Sequence, residues 1–229
     1  MIVLALDTAT TDLVAGIVDA HSGEALAEVV TPTRSHNELL VPTVMELLDS
    51  AGLAFTDLEA VVVGCGPGPF TGLRVGMATA SAFGQALGVP VHGVCTHDAV
   101  ARLLRGSSSL ALTDARRREV YWARYSGSER VDGPHVIAPD QLEIAPVDVL
   151  SVPEHLREKL PEALIEAAGT VTYEAPRAAA LVAVARRAVE DLSAPGEPLV
   201  PLYLRRPDAK EPAPKPLSSA IPRVSIDEE

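Results

Sequence analysis

The sequence predicts an α/β fold built on a sheet that begins as an antiparallel meander and continues with parallel strands. Three observations favour this fold class. The first hundred residues follow the order β-β-β-α-β-α-β-α, the connections between the apolar strands are short, and 47% of the 229 residues are hydrophobic. Short crossovers between apolar strands imply parallel pairing with right-handed connections.

The first three strands are predicted from apolar runs that are separated by turn residues. Residues 2–8 and 13–19 are apolar, and residues 24–33 alternate with a period of two, which is typical of half-buried strands. The two connections, at residues 8–12 and 19–23, are tight. Consecutive strands joined in this way form a meander.

The first helix is predicted over residues 36–51. Ser35 and Glu38 have the spacing of a capping box, and Gly52 is placed to end the helix. Pro42 lies inside this segment, where proline usually disrupts a helix. We therefore expect either a kink at Pro42 or a regular helix that starts after it.

The second helix, predicted over residues 71–87, carries two rows of small residues at every fourth position. The first row consists of Gly72, Gly76, Ala80, Gly84 and Gly88, and the second consists of Ala78, Ala82 and Ala86. Glycine costs a helix about 1 kcal/mol relative to alanine, so these glycines need a compensating reason. Small residues let another backbone approach closely. The rows fit packing on the chain's own sheet, an interface with a second protein, or both.

The remaining elements are predicted less regularly, and the second half of the chain reads as a degraded version of the first. The predicted strands lie at residues 59–66, 89–95, 110–113, 119–125 and 131–137, and the predicted helices at 97–104 and 176–192. We expect a first lobe over residues 1–105, a less regular second lobe over 106–206, and a flexible proline-rich tail over 207–229.

The charge balance excludes a stand-alone nucleic-acid-binding protein. There are 19 basic and 31 acidic residues, giving a net charge of −12, whereas such proteins need a basic footprint. The N-terminus lacks a basic signal region, and no apolar run is long enough to span a membrane. We expect a cytoplasmic protein that does not bind membranes. Cys65 and Cys95 lack the spacing of metal ligands and read as small buried hydrophobic residues.

Two turns carry candidate ligands for a nucleotide. Thr hydroxyls and a carboxylate in a strand–turn–strand segment can hold a phosphate and Mg²⁺, and the segment Asp7-Thr-Ala-Thr-Thr-Asp12 has this composition. Ordinary hairpin chemistry explains the same residues. The candidate nucleotide ligands are Asp7, Thr8, Thr10 and, in the second lobe, Asp114.

The glycine-rich segment 64–72 precedes a helix N-terminus, a place that favours anions, but it matches neither standard phosphate loop. No lysine occurs in the first 158 residues, and Pro67 and Pro69 remove two N–H donors.

Several motifs together resemble the TsaB (YeaZ) family. They are Leu4-Ala-Leu-Asp-Thr-Ala-Thr10, Arg34-Ser-His-Asn-Glu-Leu-Leu40, Gly66-Pro-Gly-Pro-Phe-Thr-Gly-Leu-Arg-Val-Gly76, Gly88-Val-Pro-Val-His-Gly-Val94 and the segment from Asp114 to Tyr125. The resemblance implies an actin-like, sugar-kinase-like (ASKHA) fold of two ribonuclease-H-like lobes. It also implies a role in making N6-threonylcarbamoyladenosine in tRNAs that read codons beginning with A.

In this family the subunit pairs with its catalytic paralogue TsaD, and TsaE is the ATPase partner. The paralogue carries an H-x-x-x-H metal pair, whereas the matching places here are Thr96 and Val100. The resemblance therefore implies a subunit that is not an enzyme on its own, with no metal, with doubtful binding of ATP and Mg²⁺, and with only indirect contact to tRNA. Alone, we expect it to form a homodimer.

The pairing would use the two first-lobe helices. The residues expected at the partner interface are Leu40, Val44, Leu47, Gly72, Val75, Gly76, Thr79, Ala80 and Phe83. Two other functions stay open: an ATP-dependent phosphotransferase of the actin-like class and a metallopeptidase-like protein.

Overall fold

Two five-stranded sheets form the framework of the protein, of which the computed structural model describes residues 1–205. The first sheet contains β1 (Ile2–Asp7), β2 (Asp12–Asp19), β3 (Glu24–Pro32), β4 (Ala60–Gly64) and β5 (Val91–Val94). The second sheet contains β6 (Ser108–Asp114), β7 (Val120–Ser126), β8 (Glu129–Ile137), β9 (Val149–Ser151) and β10 (Thr170–Thr172).

The second sheet repeats the topology of the first. The strand order is β3-β2-β1-β4-β5 in the first sheet and β8-β7-β6-β9-β10 in the second. In each sheet the first three strands of the chain pair antiparallel, and the last two add parallel to them. This duplication confirms the predicted α/β fold of two related lobes, the actin-like architecture.

Six α-helices surround these sheets within residues 1–205. They are α1 (His36–Ser50), α2 (Phe70–Leu87), α3 (Thr96–Ala101), α4 (Glu154–Arg157), α5 (Glu162–Ala167) and α6 (Ala178–Ala188). Both α1 and α2 pack on one face of the first sheet. Leu4 and Leu6 of β1 belong to the core cluster on this face. None of the helices within residues 1–205 is long and apolar enough to cross a membrane.

The helix α6 returns to the first lobe, although the sequence analysis placed it in the second. It covers the face of the first sheet opposite to α1 and α2, and Leu181 packs with Val3 and Ala5 of β1. Alternate residues of β1 thus pack against α6 or against α1 and α2, as expected for a strand buried on both faces.

Local differences from the prediction have simple causes. The Ser35 side chain does not form the predicted capping bond, and Pro42 is accommodated within a continuous α1. Strands β9 and β10 were missed because each has three residues, too short for a periodic pattern. The predicted flexible tail, residues 207–229, lies outside the described residues.

Candidate functional site: two helix faces and a covered hairpin turn

The two helices predicted to bind a partner lie side by side on the first sheet. Both contribute to one core cluster with β1, β2 and β4, α1 through four buried side chains and α2 through buried Ala80 and partly buried neighbours. Phe83 of α2 stacks on Phe55, which follows α1, with ring centroids 5.5 Å apart. The sheet therefore fixes both helices and determines which side of each faces solvent.

Five of the nine residues expected at the partner interface are buried inside the chain, which corrects that prediction. They are Leu40, Val44, Leu47, Gly76 and Ala80. The side chains of α1 in this set face the sheet. A Cβ atom at Gly76 would lie 2.5 Å from Thr8 Oγ1. The first row of small residues on α2 therefore serves the close approach of α2 to its own sheet.

The other four predicted interface residues are half-buried. Gly72 lies against the Thr8 carbonyl, so this residue also belongs to the close approach. Val75 and Phe83 pack at the edge of the core cluster, and Thr79 is partly covered. Their positions border the exposed side of α2 without forming it.

The exposed side of the helix pair carries apolar and small residues among polar ones, and the sequence analysis missed this group. On α1, Val41 and Met45 are 41% and 56% exposed, and Pro42 lies between them on the surface. On α2, Ala78 and Ala82 of the second small-residue row are exposed. We call these five residues the outer helix face. The row of alanines was the available signal, but the sequence did not fix the rotation of the helices.

The first candidate nucleotide ligand, Asp7, is engaged inside the protein. Its carboxylate accepts hydrogen bonds from Thr96 Oγ1 at 2.7 Å and from the Ala9 amide at 2.8 Å. Asp7 is fully buried, and this burial raises its pKa to about 6. The carboxylate therefore acts as an internal acceptor that holds Thr96, at the start of α3, to the hairpin turn.

The hairpin turn after β1 is covered by the glycine-rich segment. Thr8 Oγ1 donates a hydrogen bond to the Gly72 carbonyl at 2.7 Å, and the backbone of Gly68 touches that of Ala9. Both Thr8 and Ala9 are 1% exposed. The amides and hydroxyls that would face a phosphate in this turn are thus occupied or covered by the chain itself.

Thr10 and Asp114 also make internal hydrogen bonds. The Asp12 amide donates to Thr10 Oγ1 at 3.1 Å. Asp114 accepts from the Arg116 amide at 2.7 Å and pairs with His155 at 3.2 Å. The four candidate ligands therefore lie on two turns, and each already has partners within the chain.

The junction of the two lobes includes a contact that the sequence analysis missed. The Tyr173 hydroxyl, which follows β10, donates a hydrogen bond to the Asp12 carboxylate at the start of β2. His36 lies near Asp12 and Arg116, and burial lowers its pKa, although hydrogen bonding and the charge of Asp12 oppose the shift. Tyr173 lies in an irregular, proline-rich segment whose sequence shows no pattern that would indicate this contact.

The side chains that could hold a metal ion lie apart from one another in the described part of the chain. Within residues 1–205 no three His, Cys, Asp or Glu side chains are grouped so that they could hold a metal ion. Cys65 and Cys95 are free thiols, and burial raises the pKa of each to about 12, so neither is a ready thiolate ligand. Thr96, which stands where the catalytic paralogue is expected to carry a metal ligand, donates a hydrogen bond to the Asp7 carboxylate.

Comparison with known proteins identifies the family. Residues 26–194 match the family model described as TsaD, tRNA N6-adenosine threonylcarbamoyltransferase. TsaB of Bacillus subtilis is 29% identical over 92% of this chain and 96% of its own length. The solved structure of YeaZ from Pseudomonas aeruginosa superposes with a TM-score of 0.69 and 27% identity, covering 82% of this chain and 91% of that one. The chain belongs to the TsaB (YeaZ) family.

Proteins of mycobacteria are also similar in sequence to this TsaB-type chain. An uncharacterized protein of Mycobacterium tuberculosis is 51% identical over 91% of this chain and 93% of its own length. The match to the TsaD model covers α1, α2, β4, β5 and the whole second sheet, whereas β1 and β2 lie outside it. A TsaB family member thus shares its architecture with the transferase family after which that model is named.

Proposed function

We propose that this chain is a non-catalytic subunit that pairs with TsaD through the outer helix face. Membership of the TsaB family gives the chain a role in tRNA threonylcarbamoyladenosine biosynthesis. The observation that carries the pairing is the outer helix face itself. Two neighbouring helices, fixed by one sheet, present apolar and small side chains to solvent among polar ones, and exposed apolar side chains rimmed by polar residues are typical of protein interaction sites.

The geometry of the helix pair suits a partner of the same architecture. Ala78 and Ala82 let an incoming helix approach closely, and Met45 supplies a flexible apolar side chain that adapts to its partner. A protein with the TsaD fold has an equivalent pair of helices to offer. The interface would then be a four-helix contact across a pseudo-twofold axis.

The covered hairpin turn supports the non-catalytic part of the proposal. A phosphate-binding turn needs free amides and hydroxyls, whereas Thr8 donates to Gly72 and the Ala9 backbone lies against Gly68. Asp7 is bound by Thr96 at the place where the catalytic paralogue is expected to carry a metal ligand. We propose that this subunit needs neither metal nor ATP with Mg²⁺ and activates TsaD by binding.

The wider assembly is part of the same proposal. TsaE joins the TsaD-bound pair, and tRNA reaches this subunit only through the complex, in keeping with the net charge of −12. In the absence of TsaD, the outer helix face supports a homodimer, since a self-complementary apolar face produces an isologous pair.

Size-exclusion chromatography with light scattering tests the pairing. The full chain is run alone and then mixed with TsaD from the same source. We expect a dimer that exchanges into a mixed complex, and we expect Ala82→Arg on the outer helix face to prevent that complex. Exposed Val131→Ala, on the edge strand β8 of the second lobe, is the control. If the wild-type chain forms no complex with TsaD, the proposed pairing is wrong.

A reconstituted modification assay tests the absence of catalysis. TsaD with this chain is expected to transfer the threonylcarbamoyl group to tRNA, and this chain alone to transfer none. A calorimetric titration of the isolated chain with Mg-ATP is expected to give no heat of binding. Stoichiometric binding would favour the actin-like phosphotransferase, and stoichiometric iron or zinc in the purified protein would favour a metallopeptidase-like function.

A further inference from the structure

The segment that follows α6 crosses the open edge of the first sheet and reaches α2. We call residues 196–203 the C-terminal strap. Gly196 packs on the Val91 carbonyl of the edge strand β5, and a Cβ at Gly93 would lie 3.0 Å from Leu199. The Leu202 amide donates a hydrogen bond to the Cys65 carbonyl at 2.9 Å. The strap is therefore held to the first lobe along its length.

At the end of the strap, Tyr203 completes an exposed aromatic cluster with the first turn of α2. Its ring stacks on Phe70 with centroids 5.2 Å apart and an interplanar angle of 27°. The Arg74 guanidinium lies 3.7 Å from the centre of the Phe70 ring, and Arg74 Nε donates to the Tyr203 hydroxyl at 3.3 Å. We call Phe70, Arg74 and Tyr203 the aromatic platform. Phe70 and Tyr203 remain 53% and 42% exposed.

The aromatic platform is continuous with the outer helix face. Between α2 and the strap lies an open groove of about 370 Å³, whose lining includes Met77, Ala78, Leu199 and the platform residues Arg74 and Tyr203. Ala78 belongs to both the groove and the outer helix face. A partner seated on the outer helix face would therefore also meet the groove and the platform.

The platform has the chemistry of an anchor in a protein interface. Tyrosine and arginine are enriched among the residues that contribute most to binding energy. Mutual stacking holds both rings and the guanidinium in place before binding, which reduces the entropy that association would cost. The match to the TsaD family model ends at residue 194, before the strap begins.

We infer that the aromatic platform and its groove form a second anchoring contact for TsaD, built by the C-terminal strap beside the outer helix face. The inference rests on the proposed pairing. Contact with TsaD buries the Phe70 and Tyr203 rings, and the groove receives an apolar side chain of the partner next to Ala78. The strap thus takes part in choosing the partner.

Affinity measurements on full-length variants test this contact. Tyr203→Ala and Phe70→Ala are each expected to weaken TsaD binding by tenfold or more, measured by calorimetry. Tyr203→Phe keeps the stacked ring and is expected to stay within about threefold of wild type. Val131→Ala, which truncates a similarly exposed side chain on β8, is expected to change nothing. Circular dichroism and the melting temperature verify that each variant folds.

The outcomes separate this inference from the proposed function. If Ala82→Arg prevents TsaD binding while both alanine variants of the platform bind within twofold of wild type, the platform contact is overturned and the pairing stands. If Ala82→Arg also binds normally, the pairing itself fails. If the platform variants weaken only self-association, the platform serves a second copy of this chain and the inference is overturned.

Discussion

At the scale of single residues, the carboxylate of Asp7 is the clearest example of a polar group whose role the fold determines. It was a candidate nucleotide ligand in the sequence, yet it lies at 0% exposure with Thr96 and Ala9 as its donors. A buried charge is costly, and hydrogen bonds repay only part of the cost. This imbalance is why burial raises the pKa of Asp7 to about 6.

The raised pKa of Asp7 predicts a stability change with pH. The folded state holds this proton more tightly than the unfolded state, whose pKa is near 3.8, so the contribution of Asp7 to stability falls as pH rises from about 4 to about 6. Asp7→Asn removes this dependence. We expect the free energy of unfolding of wild type, relative to Asp7→Asn, to fall by on the order of 3 kcal/mol between pH 4 and pH 7.

Urea unfolding of wild type and of Asp7→Asn at several pH values measures the difference between their free energies of unfolding. Asp140→Asn, at an exposed position, is the matched control and is expected to show no such change. Parallel pH profiles for wild type and Asp7→Asn would show that the Asp7 carboxylate is not destabilised by its burial.

At the scale of elements, the two small-residue rows of α2 have separate roles. The row that contains Gly76 and Gly84 faces the sheet, where added Cβ atoms would meet Thr8 and Val91. The row that contains Ala78 and Ala82 faces solvent. One helix therefore approaches its own sheet with one row and leaves the other exposed, where the proposed pairing with TsaD would use it.

This separation predicts opposite effects for two similar substitutions. Gly76→Leu forces a side chain against Thr8 and Val63, and overpacking of this kind costs about 2 kcal/mol or more. Ala82→Leu lies in solvent and is expected to change stability by less than about 0.5 kcal/mol while weakening TsaD binding. Thermal unfolding and a TsaD titration measure the two effects. Equal loss of stability in both variants would contradict the assignment of the rows.

Most elements of the first lobe could be predicted from the sequence because their signals are local. Apolar runs, tight turns and Gly52 predicted the order of β1 to α1, and Gly52 indeed has a positive φ of 68°. The rotation of α1 could not be predicted, because Val41 and Met45 are apolar although they face solvent. Its buried side depends on the sheet beneath it, a long-range contact that no local pattern records.

The candidate nucleotide residues show the same limit. Their types were consistent with a phosphate site, but the sequence could not show that Gly68 and Gly72 would cover the turn. Thr8 and Gly72, which are 64 positions apart in the chain, meet there because β1 pairs with β4. The helix α6 was found as a helix, whereas its return to the first sheet depends on the whole chain.

At the scale of the whole molecule, side chains of the second lobe donate hydrogen bonds to the first. Tyr173 donates to Asp12, and the Tyr121 hydroxyl of β7 donates to the Gly68 carbonyl at 3.4 Å. Elsewhere the Arg205 guanidinium pairs with Glu119 at 2.8 Å, beside the turn of the second lobe. These contacts connect the lobes through residues of the chain itself.

The Tyr173 contact predicts how firmly the lobes are joined. Tyr173→Phe removes the donor to Asp12, which is 5% exposed, and a buried carboxylate that loses a partner costs about 2 kcal/mol. Tyr121→Phe removes a longer bond to a carbonyl and is expected to cost less than half of that. Urea unfolding measures the loss of stability in both variants, and hydrogen exchange is expected to quicken at residues 10–12 and 172–174 in Tyr173→Phe.

The local change in hydrogen exchange distinguishes a junction contact from a general loss of stability. If exchange quickened uniformly, or if Tyr173→Phe unfolded like wild type, the lobes would be held together by their apolar packing, and the Tyr173 hydroxyl would contribute nothing to the junction.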